Sequence, residues 1–350
     1  MDSRESRKND HIKYALSLSD GPLQTGFSDI HVMSNCLPEV DLDRVSLSAS
    51  LPGVQTLKHP FIINAMTGGA ASLETVNRQL AIVAKETDSA MAVGSQYGSV
   101  KTHNYSESFR VVRLENPQGI IFANVSALAT VSEGQCAVDM VEAQALQIHL
   151  NAAQELAMAE GDRKFSGYLR AIEKLSTGLS VPVILKETGC GMARREIKAL
   201  RNVGVKIIDI GGAGGTNFPA IEGARYQGAN QELSTWGIPT AISLLEAVTV
   251  CGKQNGIIAT GGIRTAADTL KALILGANAV GMAGNVLKNL TDGGVKYAVE
   301  EITRLKNNLQ DFMVLTGCKT ISQLKDVPVY YTGEVMAAQQ SLGNMRLENK

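Results

Sequence analysis

The chain has 350 residues, of which 44% are hydrophobic, and a formal net charge of −1. That is enough apolar material for a large core, while a near balance of charge without a long basic stripe excludes the usual footprint of a nucleic-acid binder. The longest charge-free runs, such as 116–132, are broken by Asn, Gln and Ser, and the charged start "MDSRESRKNDHIKYAL" lacks a secretory core, so a membrane span and a signal peptide are not expected. Five cysteines, Cys36, Cys136, Cys190, Cys251 and Cys318, are odd in number, widely spaced and without a C-x-x-C, which argues against a disulfide framework or a zinc site. A cytoplasmic protein with reduced thiols is expected.

Residues 1–60 read as an extension ahead of the first strand. Within it, "SRKND" (6–10) is either a solvated basic start or a pair of cations, Arg7 and Lys8, suited to capturing a phosphorylated substrate. From residue 61 onward, short apolar runs alternate with helical patterns, as a parallel sheet with crossover helices requires. Eight strands are predicted: "FIINAM" (61–66), "AMAVGS" (90–95), "GIIFAN" (119–124), "LQIHLN" (146–151), "PVILKE" (182–187), "KIIDIG" (206–211), "GIIAT" (256–260) and "AVGMAG" (279–284). Helical spacing of apolar residues marks 72–87, 134–144, 164–176, 191–204 and 265–277, and 237–252 with Pro239 at its first helical position. The stretch 212–236 is too long and Gly-rich for a plain connector and reads as a functional loop, and 293–350 as a helical tail. The expected class is α/β, a (β/α)8 TIM barrel over 61–292 flanked by the extension and the tail.

In such a barrel the open face lies where strands end and the following loops begin. Those ends carry Met66-Thr67-Gly68-Gly69, Ser95-Gln96, Asn124, His149 with Asn151, Lys186-Glu187, Gly211-Gly212, Gly261 to Arg264 and Ala283-Gly284. Polar groups followed by Gly-rich turns suggest a ligand pocket. The glycines after the seventh and eighth strands are a candidate phosphate site, because backbone N–H groups at such turns and at a helix start bind phosphate oxygens; "GGAGGT" (211–216) is a candidate second nest. Lys186 ends an apolar strand and would point into the barrel mouth, as a salt-bridge partner, a Schiff-base amine or a fixed charge beside an anionic cofactor. In "QIHLNAAQEL" (147–156), period-2 alternation puts Leu146, Ile148 and Leu150 on one face and Gln147, His149 and Asn151 on the other, with Gln154 and Glu155 presented after the strand. Glu155 is either a solvated carboxylate or a Mg²⁺ ligand. Cys190 lacks an adjacent base and reads as structural rather than nucleophilic.

With "RKNDH", "NAMTGGA", "VGSQ", "HLNAAQEL", "KETGCGM", "GGAGGTNF" and "GGIRTAADTLKALILGANAVGMAG" in this order, the chain resembles the type 2 isopentenyl diphosphate isomerases from residue 7 to beyond residue 330. The resemblance implies an FMN-linked barrel, dependent on FMN and Mg²⁺, that interconverts isopentenyl and dimethylallyl diphosphate and uses NADPH to reduce the flavin. It also implies a homo-oligomer, a tetramer or octamer, whose partner is a small-molecule diphosphate, without nucleic acid or membrane. Carried over by residue, FMN would be held by Ala65, Met66, Thr67, Ser95, Asn124, Lys186, Thr216, Gly262, Ile263, Arg264, Ala283 and Gly284. Arg7 and Lys8 would contact the diphosphate, His149 and Asn151 would line the substrate pocket, and Glu155 would ligate Mg²⁺. Gln154 and His149 would serve catalysis beside the flavin N5, the main acid–base. Gly211 departs from the family pattern, which has Ser there. The competing readings are a 2-hydroxy-acid oxidoreductase, which needs a His base after the seventh strand where only Arg264 stands, an inosine-monophosphate-dehydrogenase-like enzyme using Cys190, and a non-catalytic flavin or phosphate binder.

Overall fold

A computed structural model describes residues 3–252 and 256–348. Two short strands, β1 (Ile30–Val32) and β10 (Val329–Tyr331), enclose in sequence the eight that matter for the site: β2 (Phe61–Ile63), β3 (Ala90–Ala92), β4 (Ile121–Ser126), β5 (Ala145–Leu150), β6 (Val183–Glu187), β7 (Ile207–Asp209), β8 (Gly256–Thr260) and β9 (Ala279–Met282). These eight are parallel and close into a barrel in sequence order, β9 pairing back onto β2. Every expected run supplies one strand. The run 61–66 keeps only 61–63 in the ladder, because from Asn64 onward the chain turns to serve the barrel mouth.

The strand interior is divided into two layers by parity. Ile62, Ala90, Phe122, Ala145, Ile184, Ile207, Ile258 and Ala279 face inward and form one apolar cluster with Leu51 and Leu57. Leu57 belongs to a tight loop whose backbone pairs with Ala49 and plugs the barrel floor. Two residues further along the strands, the inward positions turn polar: Asn64, Asn124, Gln147, Lys186, Asp209 and Thr260, all buried. On β9 the equivalent position is Gly281, where an added Cβ would lie 2.2 Å from Thr260 Cγ2 and 2.5 Å from Asn64 Nδ2, so its neighbours already fill the space. The alternate residues, such as Ile63, Ile121, Leu146, Ile148, Leu185 and Ile208, pack outward in the larger core under the helices. Burial on both faces is why parallel strands read as nearly continuous apolar runs.

In chain order the helices are α1 (Ser3–Ser17), α2 (Glu74–Thr87), α3 (Tyr97–Thr102), α4 (Glu107–Glu115), α5 (Val131–Val141), α6 (Ala152–Ala157), α7 (Tyr168–Gly178), α8 (Arg194–Asn202), α9 (Phe218–Arg225), α10 (Thr240–Cys251), α11 (Ala266–Leu275), α12 (Gly284–Leu315) and α13 (Gly333–Glu348). Local chemistry sets their ends. Thr130 and Glu133 form a reciprocal capping box that starts α5 three residues before the expected 134, and α7 starts at Tyr168 rather than 164 because Gly167 takes a left-handed φ of 91°. Pro239 is the residue before α10 and not its first helical residue; its φ of −48° and ψ of 140° keep it extended. The 212–236 stretch is not wholly loop, since Asn217 caps α9 and Pro219 occupies its first turn. α12 is interrupted at Gly294 (φ 70°, ψ −169°). The extension and the tail are joined: β1 pairs antiparallel with β10, Ile30 opposite Tyr331, and Ser46 bridges Thr320.

Candidate active site

A cavity of about 560 Å³ opens at the carboxyl ends of the barrel strands. Every residue expected at the site lines it except Thr67, whose hydroxyl is turned onto the Asn77 amide and which is 2% exposed. The cavity therefore brings together residues 7 and 8 of the extension, the β5–α6 segment and the Gly-rich turns after β7, β8 and β9. β5 behaves as alternation requires: Leu146 and Ile148 are fully buried outward, while Gln147 and His149 point inward and Asn151 immediately precedes α6.

The Gly-rich turns pack on one another. A Cβ on Gly262 (φ 73°) would fall 2.0 Å from the Gly214 carbonyl, and one on Gly211 (φ 48°) 2.0 Å from the Glu187 carbonyl. A serine at 211 would thus need the backbone to move, which is a physical reason for the departure from the family pattern. Gly284 and Asn285, in the first turn of α12, line the same cavity; first-turn N–H groups have no acceptor within the helix, and an anion there would meet them. Arg264 donates to the Gly262 carbonyl at 2.9 Å and pairs with Asp20 of the extension. These turns and Lys186 fit a flavin phosphate and an electron-rich ring.

Lys186 Nζ donates to the backbone carbonyl of Glu187 at 2.7 Å. The Glu187 carboxylate faces away and accepts the N–H groups of Gly189, Cys190 and Gly191 at 2.7, 2.6 and 3.0 Å. Burial outweighs those donors and the nearby lysine and pushes Glu187 up to about 7. Burial, with Glu187 next to it, also pushes the Cys190 thiol up to about 12, so it holds its proton and is a poor nucleophile. His149 is held down at about 4 by burial and then by the positive charges of Lys8 and Lys186, against a hydrogen bond to the Val125 carbonyl, so it is neutral at pH 7.

Two groups lie on the other wall. Gln154 donates through Nε2 to Glu222 at 2.9 Å and accepts from Asn151 Nδ2 at 3.2 Å. Burial opposes ionisation of Glu222, but His11, Gln154 and Arg225 together bring it down to about 2. His11 lies 2.7 Å from the same carboxylate, yet burial lowers its own pKa, so Arg225 supplies the compensating charge. Glu155 accepts from Asn151 Nδ2 at 2.9 Å and from the Asp162 N–H at 2.8 Å, which leaves a lone pair on each oxygen. Among the described residues no group of three or more His, Cys, Asp or Glu side chains could hold a metal, and Glu155, with a lone pair left on each oxygen, would hold a Mg²⁺ only with water and substrate phosphate completing its shell.

Sequence reasoning did not single out Glu222, His11, Asn64 or Asp209, and it placed Gln147 on the polar face of its strand without a role. A charged residue inside "KIIDIG" was the available signal for Asp209; Glu222 and Arg225, one helical turn apart on α9, were hidden in a stretch read as loop.

Residues 110–330 match the family model described as FMN-dependent dehydrogenase. The chain is 45% identical over 333 residues to an isopentenyl-diphosphate delta-isomerase of Geobacillus sp. (strain WCH70), with 95% of each chain covered. It is 46% identical over 334 residues to the enzyme of that name from Bacillus licheniformis, again with 95% of each covered. Among solved structures it is similar to a lactate oxidase of Pediococcus acidilactici (TM-score 0.68, 16% identity, 95% and 94% covered) and to mandelate oxidase with (S)-2-phenylpropionate (TM-score 0.67, 16% identity, 93% and 97% covered). At that identity the oxidases share the fold alone, whereas the full-length isomerase matches decide the lineage: the chain belongs to the type 2 isopentenyl-diphosphate delta-isomerase family, built on the barrel of the FMN-dependent dehydrogenases.

Proposed function

We propose that the protein interconverts isopentenyl and dimethylallyl diphosphate, with FMN reduced by NADPH and with Mg²⁺, as a cytoplasmic homo-oligomer, a tetramer or octamer. The observation that carries this reading is the convergence in one cavity of two cations from the extension, the His149–Asn151–Gln154–Glu155 wall and the Gly-rich turns. No helix among the described residues is long and apolar enough to cross a membrane.

When bound, reduced FMN supplies an electron-rich face and a nitrogen, N5, that exchanges a proton. The chain's own part begins with charge. Arg7 and Lys8 would neutralise the diphosphate, and Glu155 would hold the Mg²⁺, which would supply further positive charge to it. Lys186 sits under the cavity as a fixed positive charge that favours an anionic ring. Moving an alkene needs a proton delivered at one carbon and removed at another, through a transition state with carbocation character. The Gln154 carbonyl oxygen, oriented because its amide nitrogen is committed to Glu222, assists that transfer. The His149 ring, kept neutral, adds no positive charge beside the developing cation.

The test is an anaerobic incubation of flavin-loaded protein with isopentenyl diphosphate, Mg²⁺ and NADPH. Dimethylallyl diphosphate is the expected product, and chelation is expected to stop turnover without releasing flavin. No product under these conditions would sink the reading. Sedimentation of the flavin-loaded protein checks the assembly.

A further inference from the structure

Apart from Lys186, whose ammonium is given to the Glu187 carbonyl, the polar layer of the barrel is one continuous hydrogen-bonded chain, and it has a direction. Asp209 accepts from Asn64 Nδ2 at 2.7 Å, from the Thr260 hydroxyl, and from the Gly211 N–H at 3.4 Å. Asn64 Oδ1 accepts the Ala65 N–H at 2.9 Å and Gln147 Nε2 at 2.8 Å. Gln147 Oε1 accepts Asn124 Nδ2 at 3.0 Å, and Asn124 Oδ1 meets His149 Nδ1 at 2.8 Å. The chain crosses the barrel from β7 to β5, and Asp209 at its start and Gln147 at its centre have no exposed surface.

Its polarity follows from what each group can do. A carboxylate accepts and a backbone N–H donates, so Asp209 and Ala65 independently fix the Asn64 amide with its nitrogen toward Asp209 and its oxygen toward Gln147. Gln147 must then give its nitrogen to Asn64, which turns its oxygen to Asn124. Asn124 must give its nitrogen to Gln147, which turns its oxygen to His149. A reversed amide anywhere would set two donors or two acceptors face to face in a buried layer, at about 1–3 kcal/mol for each group left unpaired.

We propose that Asp209, Asn64 and Gln147 are positioning residues that act through Asn124 to hold His149 as its Nδ1–H tautomer, so that Nε2 carries the lone pair and the ring enters the reaction as a hydrogen-bond acceptor and not as an acid. The assignment deepens the isomerase reading and rests on it only for its catalytic meaning. Lys8 and Lys186, the charged groups acting on the ring, both favour the neutral form that a tautomer requires. A donor on the bound ligand would pair with Nε2.

The test is the ¹⁵N spectrum of the histidine side chains in flavin-loaded protein at neutral pH, with the His149 signal identified by its loss in His149→Asn. Nδ1 protonated and Nε2 bare is the expected result; a protonated Nε2, with the ring's N–H given to the Val125 carbonyl instead of to Asn124, overturns the proposal. Gln147→Leu removes the link, and a mixture of tautomers is expected, with kcat falling roughly 10- to 100-fold and KM little changed. A Gln147→Leu protein that stays wholly Nδ1–H overturns the proposal even if turnover falls. Because the spectrum needs no substrate, a wild-type protein that fails to isomerise would overturn the function while leaving the tautomer result to be judged separately.

Discussion

Two layers of inward-facing residues, one pleat apart on the same strands, do opposite work. The lower layer, Ile62, Phe122, Ala145, Ile184, Ile207 and Ile258, is apolar and closed from below by Leu51 and Leu57. The upper layer, Asn64, Asn124, Gln147, Lys186, Asp209 and Thr260, is also buried but polar, and every side chain in it is committed to a named partner. Burial alone therefore does not distinguish floor from mouth. What distinguishes them is whether the buried atoms have hydrogen-bonding demands, since apolar burial stabilises at about 25 cal/mol per Å² whereas polar burial roughly breaks even and fixes orientation.

That contrast can be broken from either side. The largest effect is expected at Lys186→Met, in the upper layer: turnover should drop by about 10²- to 10³-fold, since a preorganised charge is lost. Stability should change by no more than about 1–2 kcal/mol, the cost of one unpaired carbonyl. Steady-state kinetics and denaturant titration on one preparation check both, and a large loss of stability would make the lysine part of the scaffold. Phe122→Ala, in the lower layer, should do the reverse, costing about 3–5 kcal/mol of unfolding free energy while turnover per folded molecule is little changed.

Two histidines sharpen the comparison. His59, before β2 at the floor, and His149 at the mouth are both held down at about 4. For His59 the cause is burial, partly opposed by a hydrogen bond to the Thr87 carbonyl. A base whose folded pKa lies below its unfolded value near 6.5 leaves the unfolded state binding more protons between the two. Its contribution is therefore intact above pH 6.5 and is lost as pH falls toward 4, by about 3 kcal/mol in all for His59. His59→Gln should flatten the stability profile over that window and leave the pH dependence of turnover unchanged, which denaturation midpoints and pH–rate curves would show. The smallest effect is expected at Asp20→Asn, which frees Arg264 from a half-exposed ion pair worth about 0–1 kcal/mol. Flavin affinity, by fluorescence titration, should shift by less than about tenfold.

Much of the site was legible because period-2 alternation assigns faces without knowledge of the partner strand. "LQIHLN" told which of its residues look inward, and Lys186 at the end of an apolar run announced itself. Thr67 shows the limit: a strand-end position gives proximity to the mouth but not the direction of a side chain, and the Asn77 amide took the hydroxyl. The upper layer was harder still, since Asn64 and Asp209 are separated by 145 positions and their pairing exists only after the barrel closes. Glu222 needed the recognition of α9, whose eight residues follow glycines that dilute any helical period.

The pairing of β1 with β10 bears on substrate capture. It clamps the chain at Ile30, so α1, with Arg7 and Lys8, is tethered to the barrel through residues 18–29. The two cations are in effect an intramolecular ligand for the cavity, held there both by that segment, where Asp20 pairs with Arg264 and the Gly21 N–H donates to the Gly215 carbonyl at 3.1 Å, and by the contacts of α1 itself, Arg7 with Glu160 and His11 with Glu222. Freeing that segment from the barrel would turn a docked clamp into a tethered one, whose effective concentration at the cavity falls as the chain's reach grows.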